Sequence, residues 1–423
     1  MSTDRTDYLI TLASDPAQIP AAQWDDLLAR QARPTPFMRH AALAAMHHSG
    51  SACTDTGWQP AFIALFDAAQ PERLRAACPM YIKSHSYGEY VFDWAWANAY
   101  ARHGLDYYPK ALIAVPFTPV PGSRLLADSP ADRAALLRVA LQVVRRNGMS
   151  SLHLLLGDDA DRAAVLANQA TEASLDEASD APPTFLLRDG LQFHWQRSDM
   201  PGVSDFDDYL SRLQRKKRKN IVQERRQVAQ AGAVGTVRLL ADLDADELQD
   251  LVTCYAHTYH ERGNPPYLTP AFFEAMHRDM GRQWLVSQAW LGQPLQRERL
   301  LASALLGLDE GPTPRIYGRS WGRHPQHAHL DLPGLHFETC YYQPLEWALA
   351  NKVSVFEGGA QGEHKMARGF LPVPTWSAHH IVQRDFARAI ADFVDREGEA
   401  VQDHLDELAR RTPLRTDHNK ETP

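Results

Sequence analysis

The chain has 423 residues but only four cysteines, Cys53, Cys78, Cys254 and Cys340, widely spaced and with no C-x-x-C pair. That pattern gives no disulfide framework and fits free thiols in a reducing compartment. No window approaches the roughly 18 consecutive apolar residues of a membrane span. The opening residues, MSTDRTDYLITLASD, lack the basic region and apolar run of a secretory signal, so a cytoplasmic location is expected. Excess positive charge is also missing. Lys and Arg number 44 against 52 Asp and Glu, a net charge of −8. Bulk charge therefore does not make the chain a nucleic-acid binder, and any polyanion site has to be local.

Apolar residues, by contrast, are plentiful. A hydrophobic content of 44%, with 10 Trp, 14 Tyr and 15 Phe, is ample for folded cores, and the length exceeds what one core usually supports. Two domains are expected, 1–190 and 191–423. Near their junction the acidic, proline-terminated run Gln169–Pro183 (QATEASLDEASDAPP) reads as a surface insertion or linker.

The periodicity predicts an α/β fold with mixed sheets. In the first half a strand at Tyr8–Leu12 leads into helices at about Ala21–Gln31 and Phe37–His48. Paired strands follow at Ala61–Phe66 and Leu74–Tyr81, then helices at Asp93–Ala101 and Ala131–Arg146 and a strand at Ser151–Leu156. A helix feeding a buried strand is the α/β signature. The second half repeats this order: strand Val237–Leu240, helices Ala245–Arg262 and Pro270–Gly281, and strands Trp284–Leu291, Leu300–Leu308 and Arg315–Trp321. A helix at Pro333–Asn351 and a strand at Val353–Glu357 complete it. The duplication lies in element order, since identity between the halves is negligible. A helix at about Phe386–Arg410 ends the fold.

The richest chemistry is in VFEGGAQGEHKMARGF, Val355–Phe370. Gly358, Gly359 and Gly362 stand beside Glu357, Glu363, His364, Lys365 and Arg368. Glycine lets the backbone approach a ligand closely, and the ionisable groups offer acid, base and anion-binding functions together. Glu357 ends a strand, where ligands of open α/β sheets sit. Glu357, Glu363 and His364 compete for the role of general base. In RIYGRSW, period-two alternation puts Arg315, Tyr317, Arg319 and Trp321 on one face, and Ile316, Gly318 and Ser320 on the other. On the following helix, Glu338, Tyr341 and Tyr342 are expected to face the same crevice as Arg319. His324, His327 and His329 match no ligand spacing, so no metal is expected.

Two further clusters stand out. Arg215–Lys219 is five consecutive basic residues, continued by Glu224-Arg225-Arg226 on a predicted helix. In an otherwise acidic chain this density suggests a phosphate or polyanion partner, tRNA included. In the first half Asp93, Tyr107, Tyr108 and Lys110 are expected to line a cleft suited to a sugar or a long apolar chain. The competing reading is core packing.

Taken as a set, QFHW (Gln192–Trp195), RKKRKNIVQERR, YGRSWG, LHFETCYYQ, GAQGEHKMARGF and SAH (Ser377–His379) resemble the FemAB-like family of N-acyltransferases in the GNAT superfamily. The resemblance runs from about Pro36 to Pro413. It implies two tandem GNAT-like domains and transfer of an acyl or aminoacyl group to an amine, on a cell-wall precursor in this family. It also implies two parallel strands, here Arg315–Trp321 and Val353–Glu357, that splay to admit the donor. Gly318, Ser320, Gly359 and Gly362 are then donor contacts, and Lys365 and Arg368 hold donor phosphates. Arg319 and N–H groups near Gly318 stabilise the oxyanion. Glu338, Tyr341, Tyr342, Asp93, Tyr108 and Lys110 are acceptor-side candidates. The segment GRHPQHAHLDLPGL departs from the R/Q-x-x-G-x-G/A loop of acetyl-CoA enzymes. The donor is thus left as aminoacyl-tRNA or an acyl-CoA thioester. A non-catalytic binder of a cell-wall glycan or RNA on the same fold is the alternative.

Overall fold

The computed structural model of the chain describes residues 7–175, 184–359 and 362–415. The chain forms two compact units, Met1–Gly190 with Pro374–Asp403, and Leu191–Val373 with His404–Pro423. A division at 190 groups Pro374–Asp403 with the second half. These residues instead pack with the first unit, where Ala378 enters the core.

The first unit contains strands β1 (Tyr8–Ala13), β2 (Trp58–Pro60), β3 (Phe62–Asp67), β4 (Leu74–Cys78), β5 (Met80–Lys83), β6 (Lys110–Ile113), β7 (Leu126–Ala127) and β8 (Ser151–Leu155). One sheet has the order β1-β3-β4-β7. Leu74–Tyr81, expected as one strand, is split by Pro79: β4 pairs with β3, and β5 pairs with β2 and β6. A proline has no N–H for a ladder, so the chain changes sheets there. The β6–β8 pair is parallel. Between these two strands lies the helix Pro130–Arg146. Ser129 accepts a hydrogen bond from the Asp132 N–H at its start, and Pro130 fixes its first turn. Its face Leu136, Leu137, Ala140, Leu141 and Val144 packs on Ile63, Leu65, Ile113, Leu152 and Leu154. Each such Leu or Val contributes about 1.5–3 kcal/mol by burial.

The segment read as a linker starts as helix. Asp159–Leu175 is helical, because its Ala, Gln and Glu residues have high helix propensity, and 176–183 lies outside the described residues.

The chain passes into the second unit along β9 (Leu186–Gln196), followed by β10 (Ala233–Leu239), β11 (Trp284–Leu291), β12 (Leu300–Asp309), β13 (Arg315–Arg323) and β14 (Val355–Glu357). It returns along β15 (Leu371–Ile381) and ends in the helix Arg384–Arg410. β9 and β15 escaped the sequence reading because Gly190, Pro372 and Pro374 interrupt their patterns. In the second unit the order is β10-β11-β12-β13-β14-β9, antiparallel throughout except for the parallel β13–β14 pair. The first unit has the same kernel: β6 and β8 are parallel, joined through a helix and flanked by antiparallel β5 and β15. The duplication in element order is therefore a duplication in sheet topology.

The helix between β13 and β14 is not uniform. Leu335–Phe337 leads into a π-helical turn, Glu338–Tyr342, and then α-helix at Gln343–Ala350. The Gln343 N–H donates to Glu338 O, five residues back. Pro344 has no N–H to offer the Cys340 carbonyl, so the widened turn costs one hydrogen bond fewer than it would elsewhere.

Gly322 on β13 lies against the helix Ala245–His260. A Cβ there would come within 1.7 Å of the Cys254 carbonyl oxygen. Gly322→Ala is expected to destabilise the protein by about 3 kcal/mol. Gly104→Ala, with φ +69° and no neighbour within 4 Å, is expected to cost about 1 kcal/mol. Urea denaturation of the two variants gives the comparison, and equal losses would contradict this packing.

Candidate active site

β13 and β14 pair at only three register positions, Arg315↔Val355, Ile316↔Phe356 and Tyr317↔Glu357, and then part. Between the diverging ends is a cavity of about 270 Å³. Gly318, Arg319, Ser320 and Trp321 form one wall, and Gly358 and Gly359 the other. His336, Cys340 and Tyr341 reach it from the helix, and His364 and Lys365 from the short 3-10 segment Glu363–Arg368. Ala304, Leu305 and Leu306 of β12 complete it. Gly359 and Gly362 have φ of +83° and +113°, which side chains rarely tolerate, so the glycines set the path of this loop.

A β-bulge shapes the first wall. Leu305 pairs with Ser320 and Leu306 with Gly318, which leaves Arg319 as the extra residue. The bulge resets the alternation beyond it. Trp321, expected beside Tyr317, instead packs with Ile316 in the main core of this unit, and its indole N–H donates to Thr339 Oγ1 at 2.7 Å.

Burial and mutual repulsion govern the ionisable groups around the cavity. The Lys365 Nζ donates to Gly359 O at 2.8 Å, and burial lowers its pKa to about 8. His336 stacks edge-on against Trp321. Burial, reinforced by His364, Arg368 and Lys365, lowers it to about 4. His364 is lowered too, by burial first and then by Lys365 and Arg368, and its Nε2 lies 3.4 Å from the Tyr341 hydroxyl. The Cys340 thiol is pushed far up by burial and stays protonated, so it is no thiolate nucleophile. His336 and Cys340 were not picked out from the sequence. Their i, i+4 spacing beside Tyr341 was the available signal.

Other candidate residues lie elsewhere. Glu357 is buried, and Arg315 Nη1 donates to its Oε1 at 3.3 Å while His194 Nε2 lies 3.7 Å from Oε2. Glu363 is exposed and lies 3.4 Å from His404 Nε2. Glu338 and Tyr342 were expected to share the crevice with Tyr341. They point instead to the helix Arg215–Gln230, and for Tyr342 the reason is that residues one position apart on a helix diverge by about 100°. Arg225 pairs with Glu338 at 2.9 Å, and the Tyr342 hydroxyl donates to Glu224. Arg368, expected on donor phosphates, is buried in the same brace. Its guanidinium donates to Tyr342 Oη at 2.9 Å, His364 O at 2.8 Å and Glu224 Oε2 at 2.8 Å, and lies 3.4 Å from the Phe337 ring centroid. Arg215, Lys216 and Lys219 on that helix are exposed.

In the first unit, Asp93 and Lys110 belong to a buried network and not to an open cleft. The Lys110 ammonium donates to Ser86 Oγ at 2.7 Å, Glu89 Oε2 at 2.8 Å and Asp93. Tyr108 Oη lies 2.8 Å from Ser86 Oγ, and the Tyr107 hydroxyl donates to Asp93 at 2.6 Å. His153 Nε2 lies 3.2 Å from Tyr107 Oη, and the His153 and His379 Nδ1 atoms are 2.7 Å apart. Burial works to raise the Asp93 carboxyl, but Lys110 and His153 outweigh it and hold it well below the usual range. Burial lifts Glu89 to about 7 and lowers His153 to about 3.

Two units, each built on a parallel strand pair joined through a helix, make this a tandem GNAT-like α/β protein. The chain belongs to the FemAB-like family, described as peptidoglycan biosynthesis/recognition, whose profile matches residues 15–416. Among solved structures, the C-terminal DUF2156 domain of a candidate lysylphosphatidylglycerol synthetase from Agrobacterium fabrum is similar. Its TM-score is 0.50 at 11% identity, over 89% of this chain and 96% of that one. FemX matches with TM-score 0.49 at 12% identity, over 88% and 98%. A tandem GNAT protein of the clavulanic acid pathway matches with TM-score 0.41 at 14% identity, over the same shares. Among curated proteins, no sequence matches this chain. Among the described residues, no helix is long and apolar enough to cross a membrane.

The brace makes a separable prediction. Arg368→Met strands Glu224 and Tyr342 and is expected to cost about 3 kcal/mol of stability without any ligand present. Chemical denaturation of the apo protein measures it. An unchanged midpoint would return Arg368 to the donor-binding set.

Proposed function

We propose that this protein is an N-acyltransferase that moves an acyl or aminoacyl group from an activated donor to an amine, with the cavity of the second unit as the donor's reactive end. The observation that carries this reading is the parting of β13 from β14 between glycine-lined walls. Backbone groups that leave a ladder there are available to a ligand. The N–H groups around the Gly318–Ser320 bulge and the Arg319 side chain are the donors offered to a developing oxyanion. Among the base candidates, His364 has the best position. It lines the cavity and its lowered pKa keeps it neutral at pH 7, so it accepts the proton lost by the attacking amine. Glu357, tied to Arg315, fixes the strand ends, and Glu363 faces away toward His404. The cationic lining also favours the neutral, nucleophilic form of the amine. Direct attack in a ternary complex needs no covalent enzyme intermediate.

The family description supports an amine on a cell-wall precursor as acceptor. Acyl-CoA and aminoacyl-tRNA both remain donors in this reading. The exposed Arg215, Lys216 and Lys219 favour a polyanionic donor, whose binding would weaken steeply with salt.

The test is transfer of labelled acyl groups from acyl-CoA, and of labelled amino acids from aminoacyl-tRNA, to a nucleotide-linked muropeptide with a free amine. His364→Ala is expected to lower kcat roughly 100-fold or more while the melting temperature holds. Since protonation removes the base, the rate should fall as pH drops below His364's lowered pKa. It should fall again above about 8 as Lys365 loses its charge. No transfer from either donor, beside tight binding of the muropeptide, would make the protein a non-catalytic binder.

A further inference from the structure

We infer that the group delivered into the second unit's cavity is compact and has a neutral or negatively charged side chain, and that donors with a basic side chain are rejected. The inference rests on the acyl-transfer reading and narrows its substrate class. The cavity presents Arg319 and Lys365 with His336 and His364, and among the described residues no Asp or Glu lines it.

The carboxylates close by are committed elsewhere. Glu357 is bonded to Arg315, Glu338 to Arg225, Glu224 to Arg368, and Glu363 lies beside His404. A side-chain ammonium or guanidinium entering the cavity would therefore lose its water and meet like charges with no lining carboxylate among the described residues, a costly way to bury a cation. An α-amine, with an ordinary pKa of about 8, can enter uncharged. The groups already there show the same field, since burial and neighbouring cations hold His336 and His364 below their ordinary values. A carboxylate, in contrast, would meet the Lys365 ammonium.

Size sets the second limit. About 270 Å³ lies just below the ~300–1,000 Å³ of sites that enclose drug-sized ligands. The cavity takes the reactive end of a donor, and the nucleotide part stays outside. Trp321 and Tyr341 are among its walls, and the volume suits a short acyl chain over a lipid tail.

The test measures dissociation constants by calorimetry for two matched series. One is succinyl-, butyryl- and β-alanyl-CoA. The other is 3′-aminoacylamido-adenosine carrying Glu, Ala or Lys. The members of the second series share an α-amine and differ in side-chain charge. In whichever series binds, the members with an anionic or neutral chain should bind at least tenfold more tightly than the one with the added basic group. Lys365→Gln and Arg319→Gln, checked for an unchanged melting temperature, should shrink that ratio toward one by weakening the anionic member. β-Alanyl or lysyl ligands that bind as tightly as their partners would overturn the inference and leave acyl transfer standing. Failure of every member of both series to bind would overturn acyl transfer at this cavity and the inference with it.

Discussion

Two parallel strands that pair for three positions and then separate leave peptide groups without ladder partners, and the second unit is arranged around that gap. Ordinarily such groups must be satisfied by other backbone, by side chains or by water. Here glycines stand on both sides, Gly318 on one and Gly358 and Gly359 on the other, a bulge turns Arg319 out of register, and a helix interrupted by a π-turn closes the space from one side. The irregularities cluster where a fully regular fold would have left no room. Local departures of this kind gather at functional sites because they carry a cost that packing elsewhere offsets.

What holds the gap open is a second tier of contacts behind it. Arg368 joins the loop after β14 to the helix Arg215–Gln230 through Glu224, and Arg225 joins that helix to Glu338. The basic helix thus has two ends with different tasks. Its Glu224–Arg225 portion is internal scaffolding, while Arg215–Lys219 remains at the surface. Charge density alone does not separate the two, since the difference lies in which residues find a carboxylate across the interface.

The elements with strong periodicity or clean caps, such as Pro130–Arg146 and Trp284–Leu291, were legible in the sequence, and so was their repeated order. Strands interrupted by proline or glycine were not, because a single breaker in an eleven-residue strand such as β9 or β15 removes the local pattern while long-range pairing restores the strand. That Gly318–Trp321 come together with Gly358, Gly359, His364 and Lys365 was also legible, since glycines and ionisable groups are rarely clustered for structural reasons alone. The facing of Trp321 was not, because one bulge inverts every position after it. Nor was the commitment of Arg368 and Tyr342 to Glu224, and of Glu338 to Arg225, since each contact joins residues more than a hundred positions apart.

The buried network of the first unit carries a directional order. Tyr107 has one hydroxyl proton and spends it on Asp93, so its oxygen can only accept, and His153 Nε2, 3.2 Å from it and 2.7 Å from Ser151 Oγ, serves it when protonated. A neutral His153 protonated there has a bare Nδ1, which must receive a proton from His379 Nδ1. His379 in turn has a bare Nε2, 2.8 Å from the Ser377 hydroxyl, which donates to it. With His153 Nε2 protonated every tautomer along the row is set, and a Ser151 hydroxyl that donates to the same nitrogen sets the opposite order. The ionised Asp93 thus fixes one proton, that of Tyr107, and the rotation of the Ser151 hydroxyl decides which sense the two histidines take.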